Sequence, residues 1–255
     1  MTQDRGTVLM EAGGYHYIPG VMQYSAGVGA APGLQIERAT FTAPVPLAEG
    51  FQRIRAHLEH LGRPLAAFCA CELRSPQQFS EDGFNAFNQS YADVLRDWNI
   101  MKMDDNPIAR ANVCPEIDAP SEPCFHAFSY TTQAASAQSS FVIAGSGEAK
   151  EGGPSYAGAT VRLGDTSPDG MLEKAKFVLG EMERRMNFFD AGWDDVTATQ
   201  LYTVYDPHPF LAEEVVTRGA ARHGLNWHYH RPPVVGLDFE MDCRRVFSEH
   251  VLAAG

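Results

Sequence analysis

Residues 169–206 read DGMLEKAKFVLGEMERRMNFFDAGWDDVTATQLYTVYD, and this stretch decides the fold. Its first part has apolar residues at helical spacing, which predicts a helix whose buried face is formed by Ala175, Leu179, Met182, Met186 and Phe189. Ser167 and Pro168 lie where the N-cap and the first residue of this helix are expected, and Gly192 lies after the predicted end of the helix. The β-forming run VTATQLYTVY then predicts a strand. A long helix leading into a strand is the centre of a helix-on-sheet domain.

The flanking segments extend this centre into a complete unit. Strands are predicted at SFVIAGSGEA, which runs into a Gly-rich turn, and at ATVRL before the helix. After the central strand, PFLAEEVVTRGAARHG predicts a second helix, and NWHYHRPP and VVGLDFEMDCRRV predict two closing strands.

The first half of the chain has the same order of elements. LQIERATFTAPVP predicts a strand, and a helix follows with a stripe of Phe51, Ile54, Leu58 and Leu61 that ends at Gly62. FCACELRSP predicts the next strand, a helix carries the aromatic stripe from Phe84 to Trp98, and ARANVCP and CFHAFSYTT predict the last strands. The Gln-, Ala- and Ser-rich stretch TTQAASAQSS connects the halves. We therefore predict an α+β fold of two related domains, residues 1–135 and 136–255, each a mixed sheet with helices packed on one face.

The composition excludes several classes of function. The chain has 255 residues, 32 acidic and 20 basic, and its formal charge of −12 opposes both nucleic acid and anionic membranes. No stretch approaches the roughly 18 apolar residues that cross a bilayer, and the N-terminus does not resemble a signal peptide. We expect a cytoplasmic protein that binds neither nucleic acid nor membrane. The five scattered cysteines are expected to be buried, unreactive thiols.

Strands such as VTATQLYTVY carry apolar side chains on both faces. Because helices cover only one face of each predicted sheet, the other face must also be buried. Oligomerisation is one way to bury it, and we expect an oligomer.

Four segments resemble the Rid (YjgF) family. FVIAGSGEA and residues 169–206 are similar to its first core strand, long helix, Ala-Gly turn and central strand. MQYSAGV resembles its Tyr-Ser segment, and NPIARANVCP resembles its Pro-Ala-Arg segment, which carries a carboxylate-binding arginine. Together the matches cover most of the chain in two copies.

This resemblance implies two fused Rid-like domains of the chorismate-mutase-like fold. Family members are reactive-imine deaminases that need no cofactor or metal, and single-domain members are trimers with active sites between subunits. The resemblance therefore implies a homotrimer whose sites take side chains from two domains. Tandem relatives include chorismatase-type enzymes, and relatives acting on aromatic breakdown products include 2-aminomuconate deaminases.

Arg110 is the principal candidate for substrate binding, because it matches the family's carboxylate-binding arginine. A guanidinium offers two fixed donors to a carboxylate and keeps its charge. The alternative is a structural salt bridge. Tyr24 matches the tyrosine that lines the family's cleft, and its alternative is a packed surface tyrosine.

The candidate acid–base groups lie on the last strand of each half. The resemblance places His126 and Asp242 where the family commonly has a glutamate that orders water. Histidine suits proton relay because its ordinary pKa is about 6.5, although a core histidine is an equal alternative. Burial would raise the pKa of Asp242 into a useful range, and Glu240 on the same strand face is the second choice.

The remaining candidates are in the second half. Gly145, Ser146 and Gly147 lack bulky side chains, so their backbone N–H groups can approach a ligand. Because the first half has no such turn, we predict one composite site that pairs Arg110 with this segment. Arg231 stands near the expected position of the second-half arginine, where it would hold a second carboxylate. His228 and His230 form an H-x-H pair, but no third ligand has a recognisable spacing, so we predict no metal site.

These observations predict a cofactor-independent hydrolytic deaminase of a small enamine or imine acid, with a 2-aminomuconate-type dicarboxylate as the favoured substrate. Two alternatives remain open. One is a chorismatase-like enol-ether hydrolase, which would release pyruvate without ammonia. The other is a ligand-binding or regulatory module without turnover.

Overall fold

The computed structural model describes residues 6–135, 138–153 and 155–253. Within these ranges the strands are β1 (Val8–Met10), β2 (Tyr15–Ile18), β3 (Gly27–Ala30), β4 (Leu34–Pro46), β5 (Phe68–Arg74), β6 (Ala109–Pro115), β7 (Cys124–Gln133), β8 (Phe141–Gly147), β9 (Ala198–Tyr202), β10 (Asn226–His228), β11 (His230–Arg231), β12 (Glu240–Arg245) and β13 (Glu249–Leu252). The helices are α1 (Leu47–His60), α2 (Glu81–Asp97), α3 (Tyr156–Ala159), α4 (Pro168–Met186) and α5 (His208–Phe210), with 3₁₀ turns at Leu65–Ala67, Asn187–Phe189 and Trp193–Asp195 and a π-helix at Leu211–Val216. The predicted α+β class is confirmed.

The strands form two mixed sheets. One has the order β1-β2-β3-β8-β12-β9-β10, and the other has the order β11-β6-β5-β7-β4-β13. Each sheet contains strands from both halves, because β3 pairs with β8 and because β11 and β13 flank strands of the first half. The boundary between 1–135 and 136–255 stays a prediction, and its residues 136 and 137, within TTQAASAQSS, lie outside the described residues.

The helices cover the outer faces of the sheets, and most residues of the apolar stripes predicted for α1 and α4 are buried. On α1, Phe51, Ile54 and Leu58 are buried, whereas Leu61 caps the helix and is partly exposed. On α4, the four helical positions of the predicted stripe are buried, and Phe189 just beyond it packs against the same core. The Ser167 hydroxyl accepts the Gly170 N–H at 3.2 Å, so the predicted cap is confirmed.

Three local expectations in the second half are wrong. ATVRL is not a strand, because α3 ends at Ala159 and the chain then turns through Arg162, whose φ is +51°. The helix predicted over PFLAEEVVTRGAARHG is only α5 and the π-helix, in which Thr217 N–H reaches the Ala212 carbonyl five residues back. NWHYHRPP divides at Tyr229 into two strands of different sheets.

The inner faces of the two sheets cover each other. Tyr15, Val28 and Ala144 from one sheet pack with Ile36 and Ala109 from the other in a shared apolar cluster. Sheet-on-sheet packing within one chain therefore supplies cover that was expected from oligomerisation. The homotrimer stays a prediction. No helix in the described parts of the chain is long and apolar enough to cross a membrane.

Candidate active site

A cavity of about 220 Å³ opens where β6, β8 and β12 meet. Six residues predicted from the sequence line it: Tyr24, Arg110, Gly145, Ser146, Gly147 and Glu240. The first two come from the first half of the chain and the other four from the second half. The cavity is thus a composite of both halves, as the pairing of Arg110 with the Gly-rich segment predicted.

Arg110 is held rigidly but keeps part of its guanidinium unpaired. It lies on β6 with 3 % of its surface exposed, and its Nη2 donates to Asn88 Oδ1 at 2.5 Å. Its guanidinium carbon lies 4.8 Å from the ring centre of Tyr91 and 5.6 Å from that of Phe87. Its Nη1 is buried and has no hydrogen-bond partner among the described residues. A buried cationic donor without a partner is costly, and a carboxylate in the cavity would satisfy it.

Glu240 is the buried acid of the cavity. It begins β12 with 4 % of its surface exposed, and its side chain accepts no hydrogen bond from the part of the chain that the structure describes. Burial raises the pKa of Glu240 well above its usual range. The charges of Asp242 and Glu148 raise this pKa further, and Arg185 and Arg110 offset only part of the rise. A carboxyl with a raised pKa keeps its proton to higher pH, and in that form Glu240 can donate a proton.

Gly145 makes room for the Glu240 carboxyl. A Cβ atom at Gly145 would overlap that carboxyl and would come within 3.1 Å of the Ala111 Cα on β6. Glycine therefore allows β8 to approach β6 while the acid occupies the space between them. The segment predicted as a turn belongs to β8, and Gly147 pairs there with Glu240 across the strands.

Sequence reasoning missed an ion pair at the cavity, Glu151 with Arg185, as well as Glu81 and Lys150 on the cavity wall. Glu151 lines the cavity, and its Oε1 accepts from Tyr24 Oη at 3.2 Å and from Arg185 Nη2 at 2.7 Å. Arg185 is fully buried on α4, one position before Met186 of the apolar stripe. An arginine bordering a buried helical stripe was the available signal, since such a charge requires a partner inside the protein.

Asp242 and His126 lie in a different environment, between the sheets, and neither lines the cavity. Asp242 accepts from Gln200 Nε2 at 2.9 Å and from Tyr202 Oη at 2.7 Å, and burial raises its pKa to about 6. Burial, followed by the nearby Arg74 charge, lowers the pKa of His126 to about 3, so its imidazole is neutral near pH 7. The catalytic roles predicted for both residues stay predictions.

The other candidates are also placed outside the cavity. Arg231 on β11 makes a bidentate ion pair with Glu116 at 2.7 and 3.0 Å. His228 lies on β10 and contacts Gln200 at 3.2 Å, with its ring centre 5.3 Å from that of His230. No group of three His, Cys, Asp or Glu residues with metal-site geometry occurs within the described residues. All five cysteines are buried and free, as expected.

An α+β chain that places a buried arginine and a buried acid of raised pKa in one cavity has the groups needed to hold and protonate a small carboxylic acid. The chain belongs to the 2-aminomuconate deaminase CnbZ family, whose model matches residues 7–250. A 2-amino-5-chloromuconate deaminase from Comamonas testosteroni is 48 % identical over 247 residues, which is 96 % of this chain and 98 % of the relative. The similarity therefore spans both halves and both sheets.

Proposed function

We propose that this protein is a cofactor-independent hydrolytic deaminase of 2-aminomuconate-type dicarboxylates. The observation that carries the proposal is that one cavity is lined both by Arg110, whose buried Nη1 has no partner among the described residues, and by Glu240, whose pKa is raised by burial. The family and the similar 2-amino-5-chloromuconate deaminase support the substrate class. The resemblance to the wider Rid family agrees with this chemistry and remains a prediction.

Arg110 binds the substrate carboxylate next to the amino-bearing carbon. Its free Nη1 supplies a charge-assisted hydrogen bond, and the Asn88 contact with the aromatic rings beneath keeps the guanidinium in one orientation. Binding this carboxylate holds the enamine next to the Glu240 carboxyl, so the reacting groups are already positioned when the proton is transferred.

Glu240 acts first as an acid and then as a base. It gives its proton to a carbon of the enamine while the nitrogen lone pair forms the C=N bond of an iminium ion. The Glu240 carboxylate next removes a proton from water as the water oxygen bonds to the iminium carbon. The product of this step is a carbinolamine.

The carbinolamine collapses through the same side chain. Glu240 protonates the amino nitrogen, the C–N bond breaks, and ammonia leaves as the C=O bond forms. The hydroxyl proton returns to Glu240, so the enzyme is restored and the net reaction is enamine plus water to 2-oxo acid plus ammonia. Each step uses a side chain and water only.

The test is ammonia release from 2-aminomuconate by the purified protein, measured above the uncatalysed rate. Arg110→Met should lower kcat/KM by about a hundredfold to a thousandfold, because a charge-assisted contact in a water-poor site is lost. Arg53→Met is the matched control, since Arg53 pairs with Glu49 on the surface of α1. Wild-type protein that gives no ammonia above background would overturn the proposal.

A further inference from the structure

The carboxylate of Glu151 occupies a position built to hold an anion. One of its oxygens accepts from both Arg185 Nη2 and Tyr24 Oη, at 2.7 and 3.2 Å. Tyr24 and Glu151 line the same cavity as Arg110 and Glu240, and Arg185, which does not itself line the cavity, pairs with the Glu151 carboxylate. A guanidinium and a phenol converging on one oxygen are the donors that recognise a carboxylate.

Arg185 is fixed in place independently of Glu151. Its side chain is fully buried, and its Nη1 donates to the backbone carbonyl of Ala144 on β8 at 2.9 Å. Its Nε is also buried and has no partner among the described residues. The guanidinium therefore keeps its orientation if Glu151 leaves, and it then requires another anion, because an isolated buried charge is costly.

Glu151, by contrast, is attached to backbone that can change. About a quarter of its side chain is exposed, at 27 %. The next residue, Gly152, has a φ of +71°, which glycine adopts without strain. Exchanging the Glu151 carboxylate for another carboxylate preserves the ion pair with Arg185 and the Tyr24 hydrogen bond, so the exchange costs mainly a change of loop conformation.

The charges of the cavity agree with such an exchange. With Glu151 in place, Arg185 is neutralised, Arg110 is the guanidinium available to a ligand, and Lys150 is a further cation on the cavity wall. With Glu151 moved away, the cavity presents two guanidinium groups, which match the two negative charges of a dicarboxylate. The charges of both arginines lower the pKa of Glu240 and so oppose the effect of burial.

We propose that Arg185 and Tyr24 form a second carboxylate subsite, which Glu151 occupies in this structure and which the far carboxylate of a dicarboxylate takes over. The inference rests on the proposed function for the choice of a dicarboxylate. It replaces Arg231 as the group that holds the second carboxylate. Preference for a dicarboxylate then comes from its second carboxylate, which pairs with Arg185 and Tyr24 in place of Glu151, whereas a monocarboxylic acid bound at Arg110 has no group for this subsite.

Binding of adipate and hexanoate tests this subsite. The two acids have the same six-carbon chain and differ in the second carboxylate, and their affinities are measured by calorimetry on the full-length protein. Glu151→Gln weakens the internal competitor while keeping its size. The variant should raise the affinity for adipate about tenfold and leave the affinity for hexanoate nearly unchanged.

Glu81→Gln is the matched control. Glu81 also lines the cavity, but its carboxylate contacts the Tyr156 N–H at 3.4 Å rather than Arg185. This variant removes the same charge and should shift both affinities by the same small factor. An equal shift of both ligands in Glu151→Gln, or no shift, would overturn the proposal.

Arg185→Met provides the opposite change. It should abolish the preference for adipate and retain hexanoate binding at Arg110, and a retained preference contradicts the subsite. If this buried substitution prevents folding, the Glu151→Gln result alone decides. Because binding is read without turnover, failure of the subsite is distinguished from failure of the proposed deamination, which ammonia release reports.

Discussion

The cavity and the polar layer between the sheets both contain buried charged groups, but these groups differ in how completely they are hydrogen-bonded. The polar layer consists of Arg38, Glu72, His126, Tyr202 and Asp242. There Arg38 makes two hydrogen bonds to Glu72, at 2.6 and 3.0 Å, and Asp242 accepts two from neighbouring side chains. The recess beside Asp242 holds about 10 Å³, close to the smallest volume that accommodates one water molecule.

In the cavity the corresponding groups are less completely hydrogen-bonded. Arg110 Nη1 is buried without a partner among the described residues, and Glu240, whose pKa is raised by burial, accepts no hydrogen bond from a described side chain. Burial alone therefore does not distinguish a structural charge from a functional one. Unsatisfied groups together with room for a ligand do distinguish them.

The largest expected effect is a difference in kcat between variants of two acids on the same strand, Glu240 and Asp242. Glu240→Gln should lower kcat about a thousandfold, because an amide cannot transfer the proton. Asp242→Asn makes the same chemical change two residues further along β12 and should lower kcat only a few-fold. Steady-state ammonia release measures both. Equal losses in the two variants would give Asp242, which the resemblance favoured, an acid–base role beside Glu240 and would contradict the assignment of that role to Glu240 alone.

The next effect is a difference in the free energy of unfolding between variants of two buried arginines, Arg38 and Arg110. Arg38→Met removes both hydrogen bonds to Glu72, which keeps a longer contact to Arg74 at 3.8 Å, and should lower the free energy of unfolding by about 3–5 kcal/mol. Arg110→Met removes one side-chain hydrogen bond, to Asn88, and should cost about 1–2 kcal/mol. Urea unfolding measures both, and a larger loss for Arg110→Met would argue that Arg110 is the structural charge.

A smaller effect comes from the shape of the cavity wall. Gly145→Ala should lower kcat/KM about a hundredfold, because the added Cβ displaces the Glu240 carboxyl. Gly180→Ala on α4 is the matched control, since its Cβ meets nothing within 4 Å. That control should leave kcat/KM unchanged. Unchanged kinetics in Gly145→Ala would show that the position of the carboxyl is not critical.

The smallest effect is a pH dependence of stability. The pKa of Glu240 is raised in the folded state, so above pH 4.5 the unfolded chain loses this proton while the folded protein keeps it. The free energy of unfolding then falls as pH rises from 4.5 toward the folded pKa. Relative to wild type, Glu240→Gln should gain about 1.4 kcal/mol per pH unit across this window and gain nothing below it.

Urea unfolding of both proteins from pH 4 to pH 8 measures this difference. Asp242→Asn should gain stability relative to wild type over a narrower pH range, because the pKa of Asp242 is raised only to about 6. A stability difference between Glu240→Gln and wild type that does not change with pH would mean that Glu240 is ionised in the folded protein.

Much of the fold follows from local patterns. The stripe on α4 and the Ser167 cap are set by residues close in sequence, so they are predicted well. ATVRL and NWHYHRPP were predicted less well because their conformations depend on partners distant in the chain. His228 pairs with Tyr202 in one sheet, whereas His230 pairs with Pro115 in the other.

The candidate site was predicted only in part, because some of its features are local in sequence and others depend on partners distant in the chain. Arg110 and the Gly145–Gly147 segment have local sequence features that a resemblance can match. Choosing Glu240 rather than Asp242 required knowing which carboxyl the surrounding strands leave unpaired. Arg185 and Glu151 lie 34 residues apart, and nothing in their local sequence joins them.

By itself, the sequence determined the fold class, the periodic buried faces and the net acidic charge, because these depend on side-chain type and short-range spacing. The arginine that lines the cavity was found through the family resemblance of its segment. The tertiary structure alone decided which half supplies strands to which sheet, and which acid lies in the cavity. It also decided which second arginine lies beside the cavity. Burial and partnering set the charge and availability of these groups, and both depend on residues that only folding brings together.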